Sequence, residues 1–184
     1  EPPGENWQHL KDTVLPEYLG NSLLLTFGVG SGTLLIGVST AWLTAMCRFP
    51  GKNLFVWLLL LPMAMPAYIV AYTYTGMFDF AGPVQTTIRD WTGWRYQEYY
   101  FPQIRSMGGA IAMLSLVLYP YVYLLGRSTF LEQSVGVMEV SRTLDCGPWT
   151  VFYRVALPLA RPAIVAGLSL ALMETLADYG TVAY

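Results

Sequence analysis

Apolar residues in this chain come in long unbroken blocks, not in the alternation of a strand or the single stripe of a surface helix. No charged residue interrupts the run from Tyr18 to Cys47, and a bilayer core takes about 20 helical residues. Four such blocks read as membrane helices, at 21–47, 54–77, 107–126 and 163–184. The pattern predicts an all-α fold, a polytopic transmembrane helical bundle with a tail at 1–20 and a long loop at 127–161. Pro62 and Pro66 in the second block and Pro120 in the third are expected to kink their helices, not end them, because bundle neighbours take up the freed carbonyls.

The placement of basic residues sets an expected orientation. The short loop after the first block carries Arg48 and Lys52 and no acid, whereas the tail carries Glu1, Glu5, Asp12 and Glu17 against Lys11 alone. The tail is therefore expected outside, Arg48 to Asn53 inside, Phe78 to Ser106 outside and 127–161 in the cytoplasm. Both cysteines, Cys47 and Cys146, then fall on or beside the reducing face. Trp91, Trp94, Tyr96, Tyr99 and Tyr100, with Tyr68, Tyr72 and Tyr74, would form an aromatic belt at the outer interface. The chain stops at Tyr184 within the fourth block, and it is expected to be a piece of a longer protein.

Composition narrows the function. Apolar residues make up 54% and charged residues 12%, about half the charged share of an ordinary soluble domain, which argues against a freely soluble or disordered chain. His9 is the one histidine, so no multi-histidine haem or metal site can form, and the net charge of −2 gives no field for nucleic acid. Two cysteines outside any CxxC spacing make no disulfide framework.

Two segments carry candidate chemistry. Gly28-Val-Gly-Ser-Gly32 has glycines like a phosphate loop, but no lysine follows and no strand precedes it. Its GxxxG spacing suits close approach of a neighbouring helix, so any ATPase must be another chain. The stretch from Glu139 to Ile164 reads as two short helices around a break. The first ends near Leu144, Asp145-Cys146-Gly147 turn the chain, and Pro148 opens a second helix to about Val155. Leu157-Pro158 is expected to end that helix and Pro162 to start the fourth block. Pattern alone allows this to be simply a long structured loop.

The order of residues in that loop resembles the "EAA" loop of the binding-protein-dependent ABC importer permeases. Glu139, Val140 and Ser141 stand for E-A-A, followed by Arg142, Leu144, Phe152, Val155, Leu157, Pro158, Arg161 and Pro162. The family's glycine six positions after the Glu falls on Asp145, with Gly147 two positions on. Leu61 to Tyr72, Asp79 to Gln85 and Glu174 to Val182 are similar to the ferric-iron branch, whose scaffold is shared by importers of thiamine, polyamines or sulfate. The resemblance implies an inner-membrane subunit of the bacterial cytoplasmic membrane. It has no catalytic residues and no cofactor of its own, since ATP and Mg belong to the ATPase. The implied partners are cytoplasmic ATPase subunits, a periplasmic substrate-binding protein, a second permease half or subunit, and membrane lipid. The coupling residues it implies are Glu139, Ser141, Arg142, Leu144, Asp145, Gly147, Leu157 and Pro158.

Glu174 and Asp178 lie four apart, on one helix face. Counted from Pro162 at about 1.5 Å per residue, they stand about 18 and 24 Å into a core of about 30 Å. An intramembrane carboxylate faces a cavity or a partner. One reading is a lining for a hard cation such as Fe(III); the other is an interfacial Asp178 and a Glu174 paired within the bundle. A membrane enzyme is the competing class, but no GxSxG or HExxH occurs. A channel or secondary carrier would leave the long inner loop without a role.

Overall fold

The computed structural model describes residues 15–93, 101, 105–143 and 147–177, which are helical in the order α1 (Leu15–Met46), α2 (Lys52–Leu58), a 3-10 turn (Leu61–Ala64), α3 (Ala67–Phe78), α4 (Pro83–Thr92), α5 (Met107–Thr143), α6 (Pro148–Val151), a π turn (Phe152–Ala156) and α7 (Leu157–Ala177). The tail before Leu15, the aromatic residues Trp94, Tyr96, Tyr99 and Tyr100, and Cys146 lie outside the described residues. Three stretches are long and apolar enough to cross a membrane: Tyr18–Met46, Met107–Gln133 and Trp149–Ala177. The fold is all-α.

The core is a three-helix bundle of α1, α5 and α7, and glycine sets its spacing. A Cβ built on Gly28 would stand 2.6 Å from Ile111 Cδ1, one on Gly32 would overlap Ser115, and one on Gly37 would stand 2.7 Å from Val122 Cβ. The GxxxG spacing therefore does pack α1 on α5. Gly30, on another side of the same turns, faces Leu168 and Leu172 of α7. Rising numbers on α1 meet rising numbers on α5, so these two helices run parallel. The third helix, α7, runs the other way, since Gly126 meets Ile164 while a Cβ on Gly167 would come within 2.8 Å of Tyr121 O. Two apolar clusters fill the bundle, one around Leu25, Val29, Leu114, Leu118 and Ala171, the other around Trp42, Tyr123, Phe130, Phe152 and Ile164.

Hydroxyls inside the long helices satisfy themselves. Thr33 donates to Val29 O at 2.8 Å, Thr44 to Thr40 O at 2.7 Å, Ser115 to Ile111 O at 2.7 Å and Thr175 to Ala171 O at 2.8 Å. Such back-bonding removes a polar group from an apolar setting at little cost to the helix.

Three boundaries differ from the sequence reading. The second block is not one kinked helix, because Pro62 and Pro66 end helical segments. Pro62 sits in the first turn of the 3-10 segment, and Met65, pushed off α geometry by the proline after it, is extended at φ −115° and ψ 139°. Hydrogen bonding resumes when Ile69 and Val70 N–H donate to Pro66 O. The third helix does not stop at Gly126 but continues through Pro120 and Arg127 to Thr143. Arg127 and Glu132 end the apolar run, and nothing there breaks a helix; hydropathy marks a solvent boundary, not a helix end. Likewise Leu157-Pro158 and Pro162 do not separate two helices. The backbone is helical from Pro148 to Ala177, with a π turn just before Pro158 in which Leu157 N–H donates to Phe152 O. Inserting a residue in this way accommodates a proline that lacks a donor. The region after α3 is also more than a loop, since it carries α4; Asp79 accepts a 3.3 Å ion pair from Arg105 across its base.

Gly167 abuts backbone, which cannot rotate away, so G167A should force α5 and α7 apart at a cost of about 1–3 kcal/mol. The nearest atom to a Cβ on Gly108 is 3.9 Å away, and G108A should leave stability unchanged. Thermal unfolding of the purified protein in detergent compares the two; equal midpoints would show that this contact does not set the bundle spacing.

Candidate functional site

The loop helix begins at Gly147. Its carbonyl accepts from Thr150 N–H at 3.0 Å and Val151 N–H at 3.2 Å, and Pro148 takes the first helical position, where a missing donor costs nothing. Buried and exposed positions then split. Val151, Phe152 and Ala156 point into the bundle, while Trp149 and Tyr153, 67% and 61% exposed, stack on each other on the open side beside the exposed Arg154.

Phe152 ties this helix to the other two. Its ring lies 4.7 Å from that of Trp42 on α1 and 6.3 Å from that of Phe130 on α5, and Trp42 meets Phe130 edge-on at 5.4 Å. Edge-to-face and tilted arrangements of this kind hold more than their buried area alone. The resemblance pointed to Phe152, but the sequence reading missed Trp42 and Phe130. Their signal is faint: each is one large aromatic in an apolar helix, spaced to face the same side as Ala41 and Ala45, or Tyr123.

The structure treats the remaining loop residues unevenly. Glu139, Ser141 and Arg142 lie on the last turns of α5, and their side chains are outside the described residues, as are Leu144 and Asp145. Gly147 is exposed, and Leu157 and Pro158 are half-buried at the start of α7. The described loop residues are thus divided between the end of one long helix and the start of the next helical stretch.

Depth along the bundle follows from the register. Arg105 and Arg127 bracket a charge-free part of α5 about 32 Å long, close to the core of a bilayer, with Leu116 at its midpoint. Because Gly167 meets Tyr121 and Val122 and α7 is antiparallel to α5, Glu174 stands level with about Leu114–Ser115. This does not depend on where the helix starts. Glu174 is exposed beside the buried Ala171 and Thr175, on a side of α7 that α1 and α5 leave open. Asp178 is outside the described residues.

The second segment lies along the same depth range in pieces. At one end Lys52 Nζ donates to Ala45 O at 3.2 Å, capping α1, and at the other Asp79 pairs with Arg105. Between them Leu59 and Leu60 pack beside Tyr119 and Tyr123, and Val70 packs beside Leu114 and Leu118. The break from Leu59 to Pro66 therefore sits near mid-depth. Among the described residues, no group of three or more His, Cys, Asp or Glu side chains is gathered to hold a metal ion.

Comparison with known proteins bears on this arrangement. A family profile described as the binding-protein-dependent transport system inner membrane component matches residues 33–184. The chain is 30% identical over 169 residues to the molybdenum transport system permease protein ModB of Escherichia coli, covering 90% of this chain and 70% of that protein. It is 27% identical to the sulfate transport system permease protein CysT of Escherichia coli, over 89% of this chain and 56% of that one. The identity is 26% to the Fe(3+)-transport system permease protein FbpB 2 of Haemophilus influenzae, over 91% of this chain and 29% of that one.

Phe152 is 8% exposed within three-way aromatic contact, so F152A should cost about 3–5 kcal/mol and hasten tryptic cleavage after Arg154. Y153A removes an exposed ring and should change neither. Unaltered protease resistance in F152A would mean that the loop helix is held by something other than this cluster.

Proposed function

The chain belongs to the family of binding-protein-dependent transport system inner membrane components, and from that premise we propose that it seats a cytoplasmic ATPase on the segment from Glu139 to Pro158 and passes a small inorganic ion across the bilayer. The observation that carries this reading is the family match over 33–184, which takes in the whole loop. The loop helix has the form the task needs. Its outward side offers Trp149, Tyr153 and Arg154 to a partner, and its inward side is packed through Phe152 onto α1 and α5. A push on the outer face is thus delivered to packed helices and not absorbed by a flexible loop.

Partners follow from the same premise: an ATPase that holds ATP and Mg, a substrate-binding protein on the opposite face, and a second permease half or subunit. The second half is supported by Glu174, because a carboxylate near mid-depth on an open helix side is not tolerated against lipid and must face another protein surface or water. Glu174, with Asp178 four positions on in the sequence, is then assigned to the translocation path.

Ferric iron is the first reading of the cargo. It is supported by the resemblance of the segments Leu61 to Tyr72 and Asp79 to Gln85 and by the suitability of carboxylate oxygen for a hard cation, while the 26% identity to an Fe(3+)-transport permease does not single iron out. An oxyanion is the second, favoured by the higher identity to permeases named for molybdenum and sulfate transport. Uptake of radioactive ferric iron, molybdate and sulfate by cells expressing the full transporter separates them. In the iron reading, E174Q with D178N slows iron uptake per assembled complex; unchanged uptake removes the acids from the path.

Coupling has its own test. E139K or G147V should abolish uptake or release the ATPase while leaving the amount of membrane-inserted protein unchanged. Normal uptake and normal co-purification of the ATPase in both variants would refute the seat. For orientation, a cysteine at Asn53 should resist an impermeant thiol reagent in intact cells and one at Trp94 should react; the reverse pattern would place the loop on the wrong side for any ATPase.

A further inference from the structure

We propose that Tyr119 and Tyr123 are alternative hydrogen-bond donors for one carbonyl, that of Leu59, and that exchange between them moves the part of the second segment before Pro66, α2 and the 3-10 turn, by about one helical turn along α5 during transport. The proposal rests on the importer reading above.

The carbonyl is free because of the sequence that follows it. In a helix Leu59 O would accept from residue 62 or 63. Position 62 is a proline with no N–H, and Met63 N–H donates to Leu60 O at 3.1 Å instead. Packed against the bundle near mid-depth, a backbone carbonyl left without a donor is costly. Tyr119 supplies the partner: its hydroxyl donates to Leu59 O at 2.8 Å. The proline break and the tyrosine on α5 thus form one unit.

Tyr123 is the unexplained half. Its side chain is 0% exposed, and its buried hydroxyl makes no hydrogen bond. A phenylalanine would fill the same space without an orphaned polar atom, so the arrangement seen here gives no reason for the oxygen. Tyr119 and Tyr123 are four apart on one face of α5, about 6 Å along the axis, against about 5.4 Å for one turn. Leu59 and Leu60 pack on the very cluster to which both tyrosines belong. A shift of the segment by one turn toward the Lys52 end would bring the Leu59 carbonyl to the waiting hydroxyl. One-turn steps between two packed arrangements are an established form of switching, because packed cores have discrete states.

The segment is built to make such a step. Below the break, α2 has no buried residue, and the Lys52-to-Ala45 hydrogen bond ties its start to α1. Above it, α3 is fixed to the bundle by Val70. Between them Met65 is already extended and the 3-10 turn has only short-range hydrogen bonds, so the change in backbone angles is confined to Leu59–Pro66.

The test uses the full transporter with its ATPase, carrying C47S, C146S and a reporter M65C at the exposed break. Labelling of the reporter by a small thiol reagent is timed at rest and with the ATPase trapped by vanadate and ATP. The two rates should differ in the otherwise unaltered protein. Y123F should keep the resting rate and the thermal stability, lose the difference between states, and lower uptake per assembled complex about five- to tenfold, the value of one buried hydrogen bond. Y119F should lower stability and bring the resting rate toward the trapped one. A Y123F protein that keeps the difference between states refutes the latch, as does equal labelling in both states without it, or a loss of stability in Y123F that matches Y119F. State-dependent labelling without uptake of any tested ion would instead count against the importer reading alone.

Discussion

In hydrocarbon a peptide carbonyl that loses its helical donor has no water to turn to, and much of this structure follows from how that constraint is met. Serine and threonine hydroxyls fold back onto the carbonyl four residues earlier, as Thr33, Ser115 and Thr175 do. The end of α1 is closed by Lys52. Where Pro62 leaves Leu59 without a donor, a tyrosine from a different helix supplies one. That last solution differs in kind from the others. A hydroxyl bonded within its own helix moves with it, whereas Tyr119 makes the position of the broken segment depend on α5.

Close packing gives the register on which the depth of every other group rests. The glycines of α1 and Gly167 of α7 bring backbones near enough that displacing one helix along another would collide with a side chain or a carbonyl. The three long helices therefore form the rigid part, and their contacts fix Glu174 and the proline break at similar depths. An acid and an interrupted backbone are the two features least compatible with lipid. Their placement at one level implies that this level faces protein or water once the chain is assembled.

Hydropathy made three long membrane-length helices and the all-α class legible, while the second apolar block proved to be broken into short pieces, and the GxxxG spacing foretold a packing surface. Helix ends were read less well because apolar runs report solvent and not backbone geometry. Residues 127–143 of α5 are polar enough to look like loop, yet contain no proline, and the helix runs through their one glycine, Gly136. The prolines misled in both directions. Pro62 and Pro66 act together, four apart, and their combined loss of donors breaks the helix. Pro158 and Pro162 are carried in α7, where a π turn takes up the first. Of the candidate site, the helix start at Gly147 and Pro148 was readable from residue order, and Phe152 only as a member of a motif, not as the ring that meets Trp42 and Phe130. Trp42, Phe130 and Tyr119 were not, because each matters through a partner distant in sequence: Tyr119 meets a carbonyl 60 positions away.

These parts form a continuous mechanical chain. The loop helix touches α1 and α5 through the rings of Phe152, Trp42 and Phe130. The same face of α5 carries Tyr123 and Tyr119 upward from Phe130, and these residues share one packed cluster with Leu59 and Leu60. A displacement imposed on the loop helix meets long helices locked by glycine contacts, which resist sliding. The stretch from Leu59 to Pro66, packed beside those helices, is a place where backbone angles can change without breaking an α-helical ladder. Proximity alone does not make a path; what makes coupling physical is an element with two discrete arrangements. A carbonyl with one hydroxyl in hand and a second, buried and unbonded, one turn away supplies that element at the depth where a transported ion would have to pass.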